Sequence, residues 1–240
     1  MGAPLSYQLD GGVATIAMDD GKANALSPEM LASLDAALDQ AERDGAVVLL
    51  HGRDGMFSAG FDLRVLGGGG EAAVQMLRAG FELSYRMLSF PRPIVVACTG
   101  HAIAMGAFLL LSADHRIGIS GGGDGEVGGV GHRIVVNEVA IGLTLPRAAV
   151  EICRQRLAPA HFTRAVTLAE EHTPEQAVVA GFLDEVVPAA ELHRTASAVA
   201  GRLATLDPTA HAATKRRAAE PALTALRAAI EADDRDLAAL

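Results

Sequence analysis

The sequence predicts an α/β fold with a helical C-terminal region, and three observations carry that prediction. Short, wholly apolar runs of strand length recur at residues 46–50 and 94–98. Each is followed by a turn of small residues and then by a segment of helical periodicity. Beyond Pro146, nearly every segment has helical spacing, and Pro159, Pro174, Pro208 and Pro221 stand where helices begin.

The elements follow in order. Residues 7–10 and 13–18 flank the pair Gly11-Gly12 and read as a hairpin. Residues 19–24 are polar and turn-like. Ser27 is a good N-cap with Pro28 at the first helical position, and Met30, Leu31, Leu34 and Leu38 form one stripe that stops at Asp44-Gly45. Residues 46–50 fit a buried parallel strand. Residues 55–62 read as a turn that leads through Gly67 to Gly70 into a long helix over 71–89, broken by Pro91 and Pro93. Residues 94–98 form the next buried strand, and the small residues of 100–106 open a short apolar helix that ends near Ser112. Residues 115–119 and 133–136 are strand-like. The C-terminal part reads as helices over 147–157, 159–170, 174–180, 189–205, 208–219 and 221–240, with one strand within 182–187. No linker separates the two parts. Residues 1–188 are therefore an α/β core and 189–240 a helical region of the same structural unit.

Half of the residues are hydrophobic and a fifth are charged, which argues against disorder. A net charge of −9 disfavours non-specific attraction to nucleic acid or an anionic membrane. No apolar run approaches the roughly 18 residues of a membrane span, and no basic stretch precedes an apolar one at the N-terminus. Cys98 and Cys153 read as reduced, buried thiols, as expected in the cytoplasm. His51, His101, His115 and His132 lack the spacing of metal ligands, so no metal site is expected. The glycine-rich segment 120–131 contains Gly123-x-Gly125-x-x-Gly128, but a strand rather than a helix follows it. A surface loop is the better reading.

Three segments could carry chemistry. Phe57-Ser58-Ala59-Gly60-Phe61-Asp62-Leu63 follows a buried strand, and its small residues let the backbone approach a ligand and leave the Phe61 amide free. Ser58 is one residue out of step with a nucleophile elbow. Thr99 to Phe108 begins an apolar helix, where free amides stabilise anions. In the third, Glu138 is the only acid in an apolar stretch from Ile134 to Leu145, so burial would raise its pKa toward that of a working base.

These segments, in this order, resemble the enoyl-CoA hydratase/isomerase family, the crotonases. Asn24-Ala25-Leu26 matches an early N-A-L, and residues 57–63 match F-x-A-G-x-D-L. Residues 100–108 with Ala113-Asp114-His115-Arg116, Glu138 to Pro146, and residues 177–187 match later family elements. The resemblance implies a crotonase-like spiral of repeated ββα units, C-terminal helices used in trimerisation, and an acyl-CoA substrate. It implies a homotrimer or a dimer of trimers. No separate cofactor is implied, since coenzyme A is part of the substrate. Carried over by position, the oxyanion-hole amides would be those of Phe61 and Met105, and Glu138 the acid/base. The substrate and CoA site would include Lys22, Ala23, Ala25, Ala59, Phe61, Asp62, Leu63, Gly106 and Phe108. Lys215-Arg216-Arg217 could reach a neighbouring subunit's CoA phosphates, although solvated charges are the simpler reading of these and of Arg64.

One departure directs the functional expectation. Family hydratases use two glutamates, and Phe108 stands at the position of the first. Substitutes would be Asp62, Glu126 or His132. A one-base Δ3-to-Δ2-enoyl-CoA isomerisation needs only Glu138, so isomerisation is favoured over hydration. Acyl-CoA hydrolysis, and acyl-CoA binding with weak catalysis, are also compatible with these residues. Met76, Phe81, Tyr85 and Leu88 on the long helix are expected to shape the acyl pocket.

Overall fold

The computed structural model describes residues 3–121 and 131–237. Most of the glycine-rich segment, with Glu126 and the fingerprint-like glycines, lies outside them. Strands β1 (Leu5–Asp10) and β2 (Val13–Met18) form the antiparallel hairpin expected around Gly11-Gly12. Helix α1 (Pro28–Arg43) begins where the Ser27 hydroxyl accepts from the Met30 amide. The other strands of this sheet are all parallel: β3 (Val47–His51), β5 (Ile94–Cys98), β7 (His115–Ile119) and β9 (Glu185–Val187). The strand order is β1-β2-β3-β5-β7-β9.

Both faces of this six-stranded sheet are covered, which is why its central strands are apolar throughout. Along β3, Val48 and Leu50 enter the main core, while Val47 and Leu49 face the other way. They meet Leu192, Ala196, Val199 and Ala200 of helix α8 (Leu192–Ala204) in a second, smaller core. Each buried Val or Leu among them contributes on the order of 1.5–3 kcal/mol.

A second sheet departs from the expectation. Residues 55–58 and 100–103, read from sequence as a turn and a helix start, are strands β4 (Gly55–Ser58) and β6 (Gly100–Ile103). With β8 (Ile134–Val135) they form a small parallel sheet in the order β4-β6-β8. Short strands with few branched residues carry too weak a period-2 signal to be recognised. Gly100 shows how close the pairing is: a Cβ there would lie 2.0 Å from the Gly55 carbonyl carbon. The chain thus repeats one unit, a strand in the large sheet, a strand in the small sheet, then helix. The repeats are β3-β4 with α2 (Leu63–Gly68) and α3 (Gly70–Ser89), β5-β6 with α4 (Met105–Leu111), and β7-β8 with α5 (Arg147–Arg156).

Helices α6 (Pro159–Leu168) and α7 (Pro174–Ala180) follow, the latter opened by a Thr173–Gln176 capping box. The two C-terminal segments expected on either side of Pro221 are one helix, α9 (Pro208–Leu237). A proline inside a helix costs about 3 kcal/mol. Here the turns after it are held by burial of Leu223, Leu226, Ala229 and Ile230, and α9 packs on α3 and α5. Among the described residues, no helix is long and apolar enough to cross a membrane.

Candidate active site

The three strands of the small sheet run parallel, so their C-terminal ends lie along one edge, and each leads directly into one of the three chemical segments. This edge placement, outside the carboxyl ends of parallel strands, is where α/β proteins bind ligands.

From β4 the chain continues into Ala59-Gly60-Phe61, which lies alongside residues 23–26. The Ala59 amide donates to Ala23 O at 3.0 Å and the Leu26 amide to Gly60 O at 2.8 Å. Asn24 organises this pairing. Buried and at φ 48°, it donates through Nδ2 to Met18 O and Phe57 O, and its carbonyl accepts the Ser58 hydroxyl at 2.8 Å. Asp20 anchors the same turn by accepting from the amides of Lys22, Asn24 and Ala25. Although burial opposes it, those amides and nearby Arg53 hold the Asp20 carboxyl below its usual range. The early N-A-L is therefore a scaffold beneath the loop of residues 59–61.

From β6 the chain passes Ala104 at φ 52°, a conformation that a Cβ disfavours, and enters α4 at Met105. Among the described residues, neither the Phe61 nor the Met105 amide donates to a backbone carbonyl. The two loops touch: a Cβ on Gly60 would lie 2.9 Å from Ile103 O and 3.2 Å from Met105 N. Gly106, the next residue, allows the same close approach, since a Cβ there would meet Ser58 O at 2.5 Å.

From β8 the chain reaches Glu138, 8% exposed, at the start of a single 3-10 turn, Val139–Ile141. Its Oε2 is buried without a hydrogen-bond partner among the described residues. Burial raises its pKa from 4.5 to about 7, offset only in part by a backbone hydrogen bond. A carboxyl near neutrality can take and return a proton at physiological pH.

These segments border a cavity of about 690 Å³. Of the residues expected at the site, Ala59, Phe61, Leu63, Phe108 and Glu138 line it. Phe61, Phe81 and Phe108 form an aromatic row, with centroids 6.1 and 6.3 Å apart at successive pairs. Lys22, Ala23, Ala25, Asp62, Met105 and Gly106 are not in its wall. The Met105 side chain is fully buried. Asp62 caps α2, accepting from the Arg64 amide at 2.9 Å, and the Arg64 guanidinium holds its carboxyl below the usual range. It is thereby corrected from a candidate proton carrier to a helix cap. Lys22 is exposed, its carbonyl held by Arg53 at 2.6 Å.

Further expectations need correction. On α3 only Phe81 of the four expected pocket residues faces the cavity. Met76 and Leu88 are core, and Tyr85 lies under the Arg227 guanidinium in a separate groove. Lys215 does not reach outward, because its ammonium is buried against Asp114 Oδ2 at 2.6 Å and ties α9 to the core. His132 packs edge-on to His101, centroids 5.5 Å apart.

Sequence reasoning missed the far wall. Ile230, Asp233, Asp234 and Asp236 of α9 border the cavity. Asp233 accepts from the amides of Arg147 and Ala148, Asp236 pairs with Arg147 at 2.6 Å, and Asp234 pairs with Arg78 at 3.5 Å. The clue was the spacing of Ile230, Asp233 and Asp234, which share one helical face.

Comparison with known proteins agrees with this architecture. Residues 8–239 match the family model described as enoyl-CoA hydratase/isomerase. The crystal structure of an enoyl-CoA hydratase/isomerase family protein from Pseudomonas syringae superimposes with a TM-score of 0.92 at 46% identity, covering 98% of each chain. An apo structure of a Mycobacterium tuberculosis protein described as an enoyl-CoA isomerase gives 0.90 at 45% identity, covering 97% of this chain and 98% of that one, and a second structure of the same protein, described as a probable enoyl-CoA hydratase, gives 0.91. A protein of Bacillus subtilis described as a probable enoyl-CoA hydratase is 35% identical over 117 residues. That match spans 47% of this chain and 45% of the relative, so the chain matches about half the length of this curated relative. The chain belongs to the enoyl-CoA hydratase/isomerase family.

Proposed function

We propose that this protein isomerises a Δ3-enoyl-CoA thioester to the Δ2 form with Glu138 as its single base. The observation that carries the reading is the state of the carboxylates around the cavity. Glu138 is buried with one oxygen unpartnered, whereas Asp233, Asp234 and Asp236 are tied into ion pairs with Arg147 and Arg78. Phe108, at the position where a hydratase of the family has its other glutamate, is apolar and buried.

In this scheme the ionised Glu138 removes a proton from C2. The C3=C4 double bond shifts to C2=C3 as the negative charge moves onto the thioester oxygen and back. Glu138 then delivers the same proton to C4, so no atom is gained or lost. The amides of Phe61 and Met105, which have no backbone acceptor among the described residues, stabilise the dienolate oxygen. Such a donor contributes on the order of 10²–10³ in rate. Ala59, Phe61, Leu63 and Phe108 line the acyl path, and Lys22, Ala23 and Ala25 border the CoA end. Coenzyme A enters as part of the substrate and no other cofactor takes part.

The Mycobacterium tuberculosis relative carries both an isomerase and a hydratase name and the Bacillus subtilis relative a hydratase name, so the relatives support the family chemistry and the preference for isomerisation rests on Phe108 and Glu138. We extend the proposal to a cytoplasmic homotrimer or dimer of trimers, in keeping with the reduced, buried Cys98 and Cys153. The test is a paired assay on a 3-enoyl-CoA and a 2-enoyl-CoA. Conversion of the former, lost in Glu138→Gln, is expected, with kcat/KM rising with pH about an apparent pKa near 7. Efficient hydration of the 2-enoyl ester would overturn the one-base scheme, and tight CoA-ester binding without turnover would replace catalysis by binding.

A further inference from the structure

We propose that His161, Glu170 and His172 form a binding site for a divalent transition metal of the zinc class, structural in role and separate from the proton chemistry. Each offers a ligand atom, and these atoms lie within 4.8 Å of one another. His161 lies in the first turn of α6. After that helix, Ala169 at φ 50° reverses the chain, and Glu170 and His172, two residues apart on an irregular extended segment, project to the same side. Glu171 points away, to Arg133.

Unsatisfied polar atoms point to a ligand. Eight buried side-chain nitrogens and oxygens among the described residues lack a hydrogen-bond partner, and three are here: both ring nitrogens of His172, and Glu170 Oε2, which is held only by an ion pair with Arg164. His172 is 3% exposed, and its Nε2 is 3.5 Å from Glu170 Oε2. A buried imidazole with neither nitrogen engaged is costly, and a metal bond to one of them removes much of that cost.

The cluster already attracts a cation. The Arg164 guanidinium lies between the other two ligands, with Nη2 3.0 Å from His161 Nδ1 and Nε 3.2 Å from Glu170 Oε2. Its side chain is 47% exposed and can withdraw to solvent. Bonds of about 2.1 Å in tetrahedral geometry put ligand atoms about 3.4 Å apart. The observed spacing therefore needs movements of only about 1 Å once the guanidinium leaves. Two histidines and one carboxylate form a ligand set suited to zinc, with the fourth position open to solvent. His172 also bridges to Ile134 of β8, the strand that leads to Glu138. Metal bound here would therefore pin the α6–α7 connection to that strand.

The experiment is a calorimetric titration of the purified full chain with Zn²⁺ at neutral pH, repeated by Co²⁺ absorption to read coordination geometry. One saturable site per chain with a tetrahedral Co²⁺ spectrum is expected, together with a rise in Tm. His161→Ala and Glu170→Gln, both at partly exposed positions, should each weaken binding by more than roughly a hundredfold, beyond the usual cost of an outer-shell change. Arg164→Ala should tighten it several-fold by removing the competing cation. Absence of saturable binding would overturn the proposal. So would affinity unchanged in both ligand variants when circular dichroism shows them folded, since the metal would then lie elsewhere.

Discussion

The two sheets of this protein are built from the same chain by opposite means. The six-stranded sheet is stabilised by side chains: β3 and β5 are apolar on both faces, and each face packs into its own core. The three-stranded sheet also sends Phe57, Ala102 and Ile134 into the main core, but its closest contacts require missing side chains, with Gly55 opposite Gly100 in register and Gly106 against Ser58. All three chemical segments leave the second sheet. Close backbone approach positions amides, and amides are what an enolate-stabilising site requires. The large sheet supplies stability, and the small one supplies geometry.

The largest effect that would test this contrast comes from one added methyl group. In Gly100→Ala the new Cβ would sit 2.0 Å from a backbone atom of Gly55, which cannot move without parting β4 from β6. We expect more than about 4 kcal/mol of destabilisation, or failure to fold. In the large sheet, Leu50→Ala should cost about 2–5 kcal/mol while leaving kcat near wild type. Chemical denaturation and initial rates measured on both variants check this. If Gly100→Ala is as stable as the wild type and fully active, the small sheet does not depend on the glycine contact.

The same contrast explains what the sequence made legible. Strands β3 and β5 announce themselves because burial on both faces demands runs such as Val47-Val48-Leu49-Leu50. Strands β4 and β6 do not, because Gly55-Met56-Phe57-Ser58 and Gly100-His101-Ala102-Ile103 are only four residues long, each opens on a glycine, and neither shows a clear period of two. The segments they deliver were legible as chemistry before they were legible as structure. Phe61, Met105 and Glu138 stand out by family motif, and in Glu138's case also by an acid in apolar surroundings. Long-range pairings could not be read. The capping of α2 by Asp62, the anchoring of Lys215 on Asp114 and the α9 wall each join residues far apart in sequence or answer to one hydrogen bond. Pro221 misled for a local reason: its missing amide hydrogen predicts a break, which the packing of α9 against α3 and α5 overrides.

A second test uses pH to separate a residue kept for chemistry from one kept for stability. Glu138 has its pKa raised to about 7 in the folded protein. Between pH 4.5 and 7 the folded state therefore holds more protons than the unfolded chain, and stability falls as pH rises through that window. Above it, the buried charge costs about 3 kcal/mol, and below it nothing. Glu138→Gln should thus be more stable than wild type at pH 8, lose that advantage toward pH 4.5, and be inactive throughout. Denaturation midpoints at the two pH values measure it. Equal stability at pH 8 would mean that the Glu138 carboxylate is solvated and its pKa ordinary.

The smallest expected effect sharpens the comparison at the level of one dihedral angle. Ala104 sits at φ 52° and ψ −122°, immediately before the Met105 amide. A Cβ in that conformation costs on the order of 1–3 kcal/mol. The cost is tolerated because the Ala104 carbonyl accepts the amides of Ala107 and Phe108, and its own amide donates to Val135 O at 2.9 Å. Ala104→Gly removes the strain but adds freedom to the unfolded chain, which returns about 0.4–1 kcal/mol. A net gain of about 1 kcal/mol is expected, with kcat within about twofold, since the backbone bonds that aim the Met105 amide are kept. A stable variant with kcat reduced tenfold would show instead that the methyl group itself helps hold the loop, and that even in the small sheet a side chain fixes the geometry.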